Sequence, residues 1–344
     1  MDWVDQYDTA TQLNDEDTLT KYDNYGFKAR ETMKPWAGGQ MMFGVDVDFL
    51  SGKYNDTTAG TLTVFPRETF RIVSPYGLLS QRWSFKNGVF LQPSAGFRYF
   101  NHDVFRDEFA PQAGLVVGAQ DVQLHSSYAR GVNYPGIFVD AYPPGDNLGR
   151  RLRPETLDHW EFGASRDFGK LAKLDVTLFH DGGRDRIVTT YPPYPPVWTN
   201  IGEFRTDGLE TTLTVKPAEA LAFFGGVTVL NSKPGDLPYS PRCSASAGAT
   251  YRFLQRLRLN VDGQYVGGEA ALTRDRDISA LNTGRISSYL LVNAKLSCDL
   301  AVPSWRLRGQ IFLSGQNLGN AHYQRQVGYP MPGINGMGGF ILRL

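Results

Sequence analysis

Long apolar runs are missing from this sequence. A helix that crosses a bilayer needs about 18 or more consecutive apolar residues. Here the apolar residues are dispersed one at a time, at a mean hydropathy of -0.32. That excludes a helical membrane protein. Net charge is missing too, since 35 Lys and Arg cancel 35 Asp and Glu. Nothing in the global balance argues for a nucleic-acid partner. Cysteine is scarce: Cys243 and Cys298 lie far apart and fit no CxxC or metal-ligand spacing. The five histidines, His102, His125, His159, His180 and His322, do not cluster along the chain, so no structural zinc site is expected. The first residues, MDWVDQYDTATQLNDEDTLTKYDNYG, are acidic and polar and carry no basic, apolar and cleavage regions of an export signal.

What the sequence has in abundance is glycine (37), aromatic residues (13%) and alternation. Leu257, Leu259, Val261, Gly263 and Tyr265 alternate with Arg258, Asn260, Asp262 and Gln264. Cys243, Ala245, Ala247, Ala249, Tyr251 and Phe253 alternate with Ser244, Ser246, Gly248, Thr250 and Arg252. The same pattern sets Leu209, Thr211, Leu213 and Val215 against Glu210, Thr212 and Thr214. Successive side chains of a strand point to opposite faces, so each segment has one apolar and one polar face. The segments run about 10–13 residues, the length at which a tilted strand crosses hydrocarbon. Strands of soluble proteins are commonly about 5–6 residues long. On this pattern Cys243 and Cys298 fall on the apolar face and read as small apolar residues.

Connection lengths add an independent signal. Tight turns are expected at 34–36, 85–88, 119–120, 168–170, 216–219, 254–256 and 300–303. Long polar connections are expected at 51–71, 102–108, 133–156, 184–202, 232–242, 268–286 and 317–336. Short and long alternate throughout, as do the periplasmic turns and extracellular loops of outer-membrane barrels. The expectation is an all-β, antiparallel transmembrane β-barrel wall of about fifteen strands, from near Tyr25 to Leu344. Residues 1–24 are expected to be an acidic extracellular loop remnant and 25–344 the barrel region. Single-chain bacterial barrels have an even strand number, so the odd count implies that N-terminal strands are absent from this chain.

Several motifs then resemble the barrel region of TonB-dependent outer-membrane receptors over roughly residues 90–344. Phe109-Ala110-Pro111-Gln112-Ala113-Gly114-Leu115 is similar to the family's SP-x-x-G-L. Arg153-Pro154-Glu155-Thr156-Leu157 with Trp160-Glu161-Phe162-Gly163 is similar to its L-x-PE-x-x-x-x-E-x-G. Asp185-Arg186-Ile187 resembles D-x-I. Asn200-Ile201-Gly202 with Arg205-Thr206-Asp207-Gly208-Leu209-Glu210 resembles N-x-G-x-x-R-x-x-G-x-E. Gln316-Asn317-Leu318, Tyr323 and Pro332-Gly333 resemble the closing NL…Y…PG. The resemblance implies a 22-stranded barrel with a plug domain, of which about seven strands, the plug and the TonB-engaging segment are not in this sequence. The family's usual terminal aromatic is replaced here by Leu344.

The resemblance also implies a function: an outer-membrane receptor and transporter for scarce metal complexes, foremost ferric siderophores, driven by TonB through the plug. Three loops carry side chains suited to bulky anionic chelates, by charge-assisted hydrogen bonds and stacking. These are Tyr134, Tyr142, Arg150 and Arg151; Tyr191, Tyr194 and Trp198; and Arg274, Arg276 and Arg285. The same residue types also suit an interfacial girdle and lipopolysaccharide phosphates. Arg205 and Glu210 are expected to face the lumen, either towards a plug or within a charge network of the wall. Arg130-Gly131-Val132-Asn133-Tyr134-Pro135 occupies the place of the family's haem-binding loop motif without matching it, which favours siderophore over haem. Asp181-Gly182-Gly183-Arg184-Asp185 lacks the further oxygen ligands of a calcium loop and reads as a strand-end turn. An enzymatic barrel would need converging catalytic side chains, and His180 with Asp181 and Asp185 is the only candidate cluster, so no enzyme activity and no cofactor are expected. A passive porin-like channel is the alternative function.

Overall fold

The computed structural model describes residues 2–7, 16–56, 63–136, 152–190, 197–254, 256–271, 284–302, 307–326 and 329–343. Fifteen long strands follow one another in chain order among them. They are β1 (Glu16–Met33), β2 (Gly39–Asp56), β3 (Thr63–Gln81), β4 (Phe90–His102), β5 (Glu108–Ala119), β6 (Val122–Asn133), β7 (Glu155–Phe168) and β8 (Ala172–Arg184). The others are β9 (Phe204–Ala218), β10 (Leu221–Lys233), β11 (Cys243–Phe253), β12 (Leu257–Val266), β13 (Tyr289–Val302), β14 (Leu307–Gln316) and β15 (Asn335–Arg343). Each pairs antiparallel with the next, giving one up-and-down sheet. No pairing joins β15 to β1 among the described residues.

The register stacks the alternating residues into two continuous faces. Leu257, Leu259, Val261, Gly263 and Tyr265 lie opposite Phe253, Tyr251, Ala249, Ala247 and Ala245 on one side. On the other side they face Cys298, Leu296, Ala294, Val292 and Leu290. Both cysteines are free and lie on this apolar face, with β12 between them. Large apolar side chains remain exposed on it, among them Phe162, Leu178, Leu313 and Phe340. A water-soluble fold buries such a face against a second layer; a membrane wall turns it to lipid.

The opposite face is polar and hydrogen-bonded across strands. Arg98 reaches over β3 to Asp46 at 2.7 Å and lies 4.7 Å from the Tyr76 ring. Asn293 donates to Asp262 at 2.8 Å, and Gln310 donates to Asp299 at 2.8 Å. Aromatic rings also fold down over glycines of the neighbouring strand here. The Phe179 ring occupies the space a Cβ on Gly208 would need, and Phe312 does the same over Gly339.

The alternation of short and long connections is seen from 120 onward but not before it, where 103–107 spans five residues and 82–89 eight. At one end are 34–38, 82–89, 120–121, 169–171, 219–220 and 254–256; Asn87 and Gly88 turn the second of these at φ 63 and 75, the Asn-Gly preference of tight hairpins. Two boundaries differ from expectation. Residues 51–71, read as a loop, are mostly paired, because β2 runs to Asp56 and β3 starts at Thr63. Likewise β1 begins at Glu16 rather than near Tyr25, and Asp2–Tyr7 pairs with its upper part. Above hydrocarbon neither face of a strand has to be apolar, so pairing there leaves no period-two trace. The long connections also contain hairpins: Arg186–Thr190 with Val197–Ile201, Glu269–Ala270 with Arg285–Ile286, and Gln324–Gln326 with Tyr329–Pro330.

Candidate functional site: the loop-bearing mouth

The connections that alternate with the turns at 34–38 through 254–256 emerge at the opposite end of the sheet, and three sets of contacts order their described parts. The first surrounds His102. Its Nδ1 accepts the backbone N–H groups of Val104 and Phe105 at 3.1 and 3.2 Å, which places the ring proton on Nε2. That nitrogen is buried without a partner among the described residues. The ring packs against Phe70, Phe105 and Tyr134 at 5.3, 5.0 and 4.6 Å between centroids. Tyr134 donates its hydroxyl to the Arg106 carbonyl at 3.1 Å. Burial, with the Glu108 carboxylate adding to it, pushes its phenol pKa far up.

Asp107 closes the same short loop. It accepts from the Tyr99 hydroxyl at 2.6 Å, from Asn101 Nδ2 at 3.1 Å and from the His102 amide at 3.2 Å. These donors, Tyr99 first, hold its carboxyl below the usual carboxylate range. Because the folded pKa is depressed, the contribution to stability is present above the unfolded value of about 3.9 and is lost as pH falls through the folded value. Amide exchange in 101–108 is therefore expected to accelerate only at acid pH, below about 4. Asp107→Asn should exchange at a raised rate with the pH step removed. An unchanged exchange profile in that variant would contradict the assignment.

The second set gathers motif residues that lie far apart in sequence. Asn200 accepts the Arg153 amide at 2.8 Å and donates to the carbonyls of Arg153 and Asp185 at 2.9 and 2.6 Å. Arg153 pairs with Asp185 at 2.7 Å. Glu155 accepts the Ile187 amide and the Asn133 side chain. The R-PE, D-x-I and N-x-G segments thus form one clamp that ties the start of β7 to the hairpin between β8 and β9. Asp185, at φ 57, makes the strand-end turn expected of it.

The third set lies between the loop 234–242 and the hairpin Glu269–Ala270/Arg285–Ile286. Pro238 bridges Ala270, Tyr239 N–H donates to the Ala270 carbonyl at 2.9 Å, and Leu237, Ala271 and Ile286 are buried nearby.

The sequence-derived candidates fall unevenly on this frame. Tyr134 is at the mouth, but within the packed ring cluster. Arg285 is exposed on its two-residue strand, and Trp198 lies on Val197–Ile201, paired with Thr189. Tyr142, Arg150, Arg151, Tyr191, Tyr194, Arg274 and Arg276 lie outside the described residues. Arg205 and Glu210 occupy opposite faces of β9: an odd spacing of five residues in an unbulged stretch cannot place both in the lumen. Glu210 stands on the polar face between Thr177 and Thr228, exposed, with no ion pair among the described residues. Arg205 shares the face of Leu209.

Two histidines that spacing along the chain keeps apart share one carboxylate in the sheet. His125 and His159 both reach Glu161, at 2.7 and 3.4 Å, and His159 also contacts Asp181 at 2.7 Å. Antiparallel register brings His125 to Glu161 and Asp181 to His159 across neighbouring strands, although 22 residues separate the latter pair. Among the described residues no group is arranged to hold a metal ion. The His180, Asp181 and Asp185 cluster does not form, because His180 turns to the apolar face and pairs with Asp207 at 2.6 Å.

A family model described as TonB dependent receptor-like, beta-barrel matches residues 2–318. No curated protein sequence matches the chain. Among solved structures, the copper transporter OprC superposes with a TM-score of 0.73 at 14% identity, covering 95% of this chain and 57% of that one. The ferric enterobactin receptor PfeA of Pseudomonas aeruginosa, in complex with enterobactin, gives 0.68 at 16% identity, with 96% and 54% covered. The ferric citrate transporter FecA, unliganded, gives 0.68 at 14%, with 97% and 56% covered. The chain therefore spans just over half the length of these proteins.

Proposed function

The chain belongs to the TonB-dependent receptor-like β-barrel family, whose members are outer-membrane proteins, and from that premise we propose that it supplies wall and mouth of a receptor for ferric siderophores or similar metal chelates. The observation that carries this reading is that the described parts of the connections at one end are anchored to one another, by the His102 ring cluster, the Asn200 clamp and the contacts of Pro238 and Tyr239 with Ala270. Such anchoring pre-organises a mouth, which lowers the entropy cost of gathering a ligand. The comparison proteins gather ferric enterobactin, ferric citrate and copper, so the cargo class, a metal or metal chelate, is common to them.

In this reading Arg274, Arg276 and Arg285 bind the anionic groups of the chelate through charge-assisted hydrogen bonds. Tyr142, Tyr191, Tyr194 and Trp198 stack on its arms, with Arg150 and Arg151 at the rim. The polar face lines the lumen, where Glu210, free of wall partners among the described residues, meets a basic group of a plug. Transport involves no bond chemistry: the ligand is held outside, and TonB moves the plug. A sheet edge cannot remain unpaired in hydrocarbon, so β1 and β15 find strand partners in the closed wall.

The intact protein in outer membranes is expected to take up radiolabelled ferric siderophore only with an active TonB system. Steady TonB-independent conductance in planar bilayers would instead establish the porin-like alternative. Replacing Arg274, Arg276 and Arg285 together by Ala is expected to weaken binding of an anionic ferric chelate by about tenfold or more. Unchanged affinity in equilibrium binding would remove that loop from the site.

A further inference from the structure

The polar face of β8–β11 changes sign between the mouth and the turns. On its upper half the charged side chains are acidic: Asp181 is held by His159, and Glu210 stands two rows lower on β9. Next comes Asp175, paired with Lys173 at 3.7 Å. At the turn-bearing end the order is reversed, with Lys216 on β9, Arg252 on β11 and Lys170 in the turn 169–171. All three are exposed. The carboxylates above offer an anion no counter-charge; the cations below do.

These three cations line one cavity of ≈ 380 Å³, together with Ala222, Thr250 and a single acid, Glu219. A volume of that order suits a small molecule rather than a lone ion. Lys170, Lys216 and Arg252 have no side-chain hydrogen bond or ion pair among the described residues. Arg252 also stands directly opposite Arg258 on β12. Like charges in that position repel, and Arg258 turns to Asp299, at 3.6 Å. Asp167, the next acid along the same end, stands opposite Lys173. Three cations against one carboxylate leave the lining positive, and an anion seated in it gains charge-assisted hydrogen bonds.

We propose that Lys170, Lys216 and Arg252 form an exit site on the lumen wall, which takes the oxyanion groups of an anionic ferric chelate at the end opposite the mouth. The site deepens the receptor reading and rests on it. Oxygen atoms that carry carboxylate or catecholate charge around the iron meet the Arg252 fork and the two ammonium groups. Because the cations are exposed, water screens each contact, so the ligand is held weakly and passes on to the periplasm. Inorganic phosphate offers the same charge but fills little of the volume, so the chelate is the ligand.

The test places a nitroxide label at position 222 of the intact receptor in detergent, through A222C in a C243A/C298A background. Ala222 lies near the start of β10, about 35 Å from the mouth end of that strand at about 3.3 Å per residue, so iron held at the mouth barely relaxes the label. Ferric citrate is expected to speed its relaxation saturably, a neutral ferric trihydroxamate is not, and inorganic phosphate should compete only weakly. K216A/R252A should raise the half-saturating concentration by about tenfold or more, and K216R/R252K should restore most of the binding. Heat-modifiable gel mobility checks folding, and the two single variants, each expected at about threefold, carry the test if the double one fails to fold. No saturable relaxation, an unchanged half-saturation in the folded variants, or phosphate competing as well as the chelate would overturn the proposal. TonB-dependent uptake by cells separates the two readings: its absence sinks the receptor, whereas uptake without relaxation at position 222 sinks only the exit site.

Discussion

Replacing Asn317 by Ala should release the connection between β14 and β15 and cost about 3 kcal/mol of local stability. Asn317 is only 3% exposed. Its Nδ2 donates to the carbonyls of Ala321 and Pro332 at 2.9 and 3.3 Å, and its Oδ1 accepts the Ala321 amide at 2.8 Å. Its own amide donates to Asn293 Oδ1 at 3.1 Å, tying the loop to β13. Alanine leaves three backbone groups without partners, each costing about 1–3 kcal/mol where water cannot replace the bond. It must also hold φ 48, a left-handed conformation that Asn tolerates better than Ala. Asn317→Asp keeps the acceptor but loses both donor bonds, so it should fall between the two. The measurement is hydrogen exchange over 316–335 with limited proteolysis. Wild-type protection in the Ala variant would show that strand pairing alone fixes the loop.

Gly208→Val is expected to destabilise the wall by about 1–3 kcal/mol, the usual cost of forcing extra volume into a packed contact. A Cβ at Gly208 falls on the outer atoms of the Phe179 ring, which reaches over it from β8. Backbone hydrogen bonds fix the two strands, so the ring must leave its position on the polar face. Phe179→Ala removes the obstacle, and the double variant should recover most of the loss. A double-mutant cycle in urea, with folded fraction read from heat-modifiable mobility, measures the coupling at about 1–2 kcal/mol. Additive single effects would mean that the ring does not rest on the glycine. Phe312 over Gly339 offers the same test between β14 and β15, where β15 has one neighbour among the described residues.

Asn317 also illustrates why the motifs were legible before their purpose was. Gln316-Asn317-Leu318 and Pro332-Gly333 stand out as a resemblance, but only the folded loop brings the Asn317 amide to the Pro332 carbonyl. The same holds for Asn200, Arg153 and Asp185, three motif fragments that become one clamp. Cargo contact was the role expected of Tyr134, yet it closes a ring cluster over His102. Sequence offers no sign of that, because aromatic side chains suit a ligand and a loop core equally well.

Local chemistry was enough for the wall. A bilayer demands an apolar face of fixed height, so strands such as 257–266 alternate strictly, and both cysteines land on the face their parity assigns. Short turns and long loops likewise follow from the two unlike sides of a membrane. What the sequence could not settle is whatever depends on neighbours across strands. Register put His125 and His159 on Glu161, parted Arg205 from Glu210, and set Arg205 against Lys233. Strand pairing joins residues tens of positions apart, and one residue of offset exchanges the faces. Period two is therefore written in the chain, whereas the partners on each face are decided only when the sheet assembles.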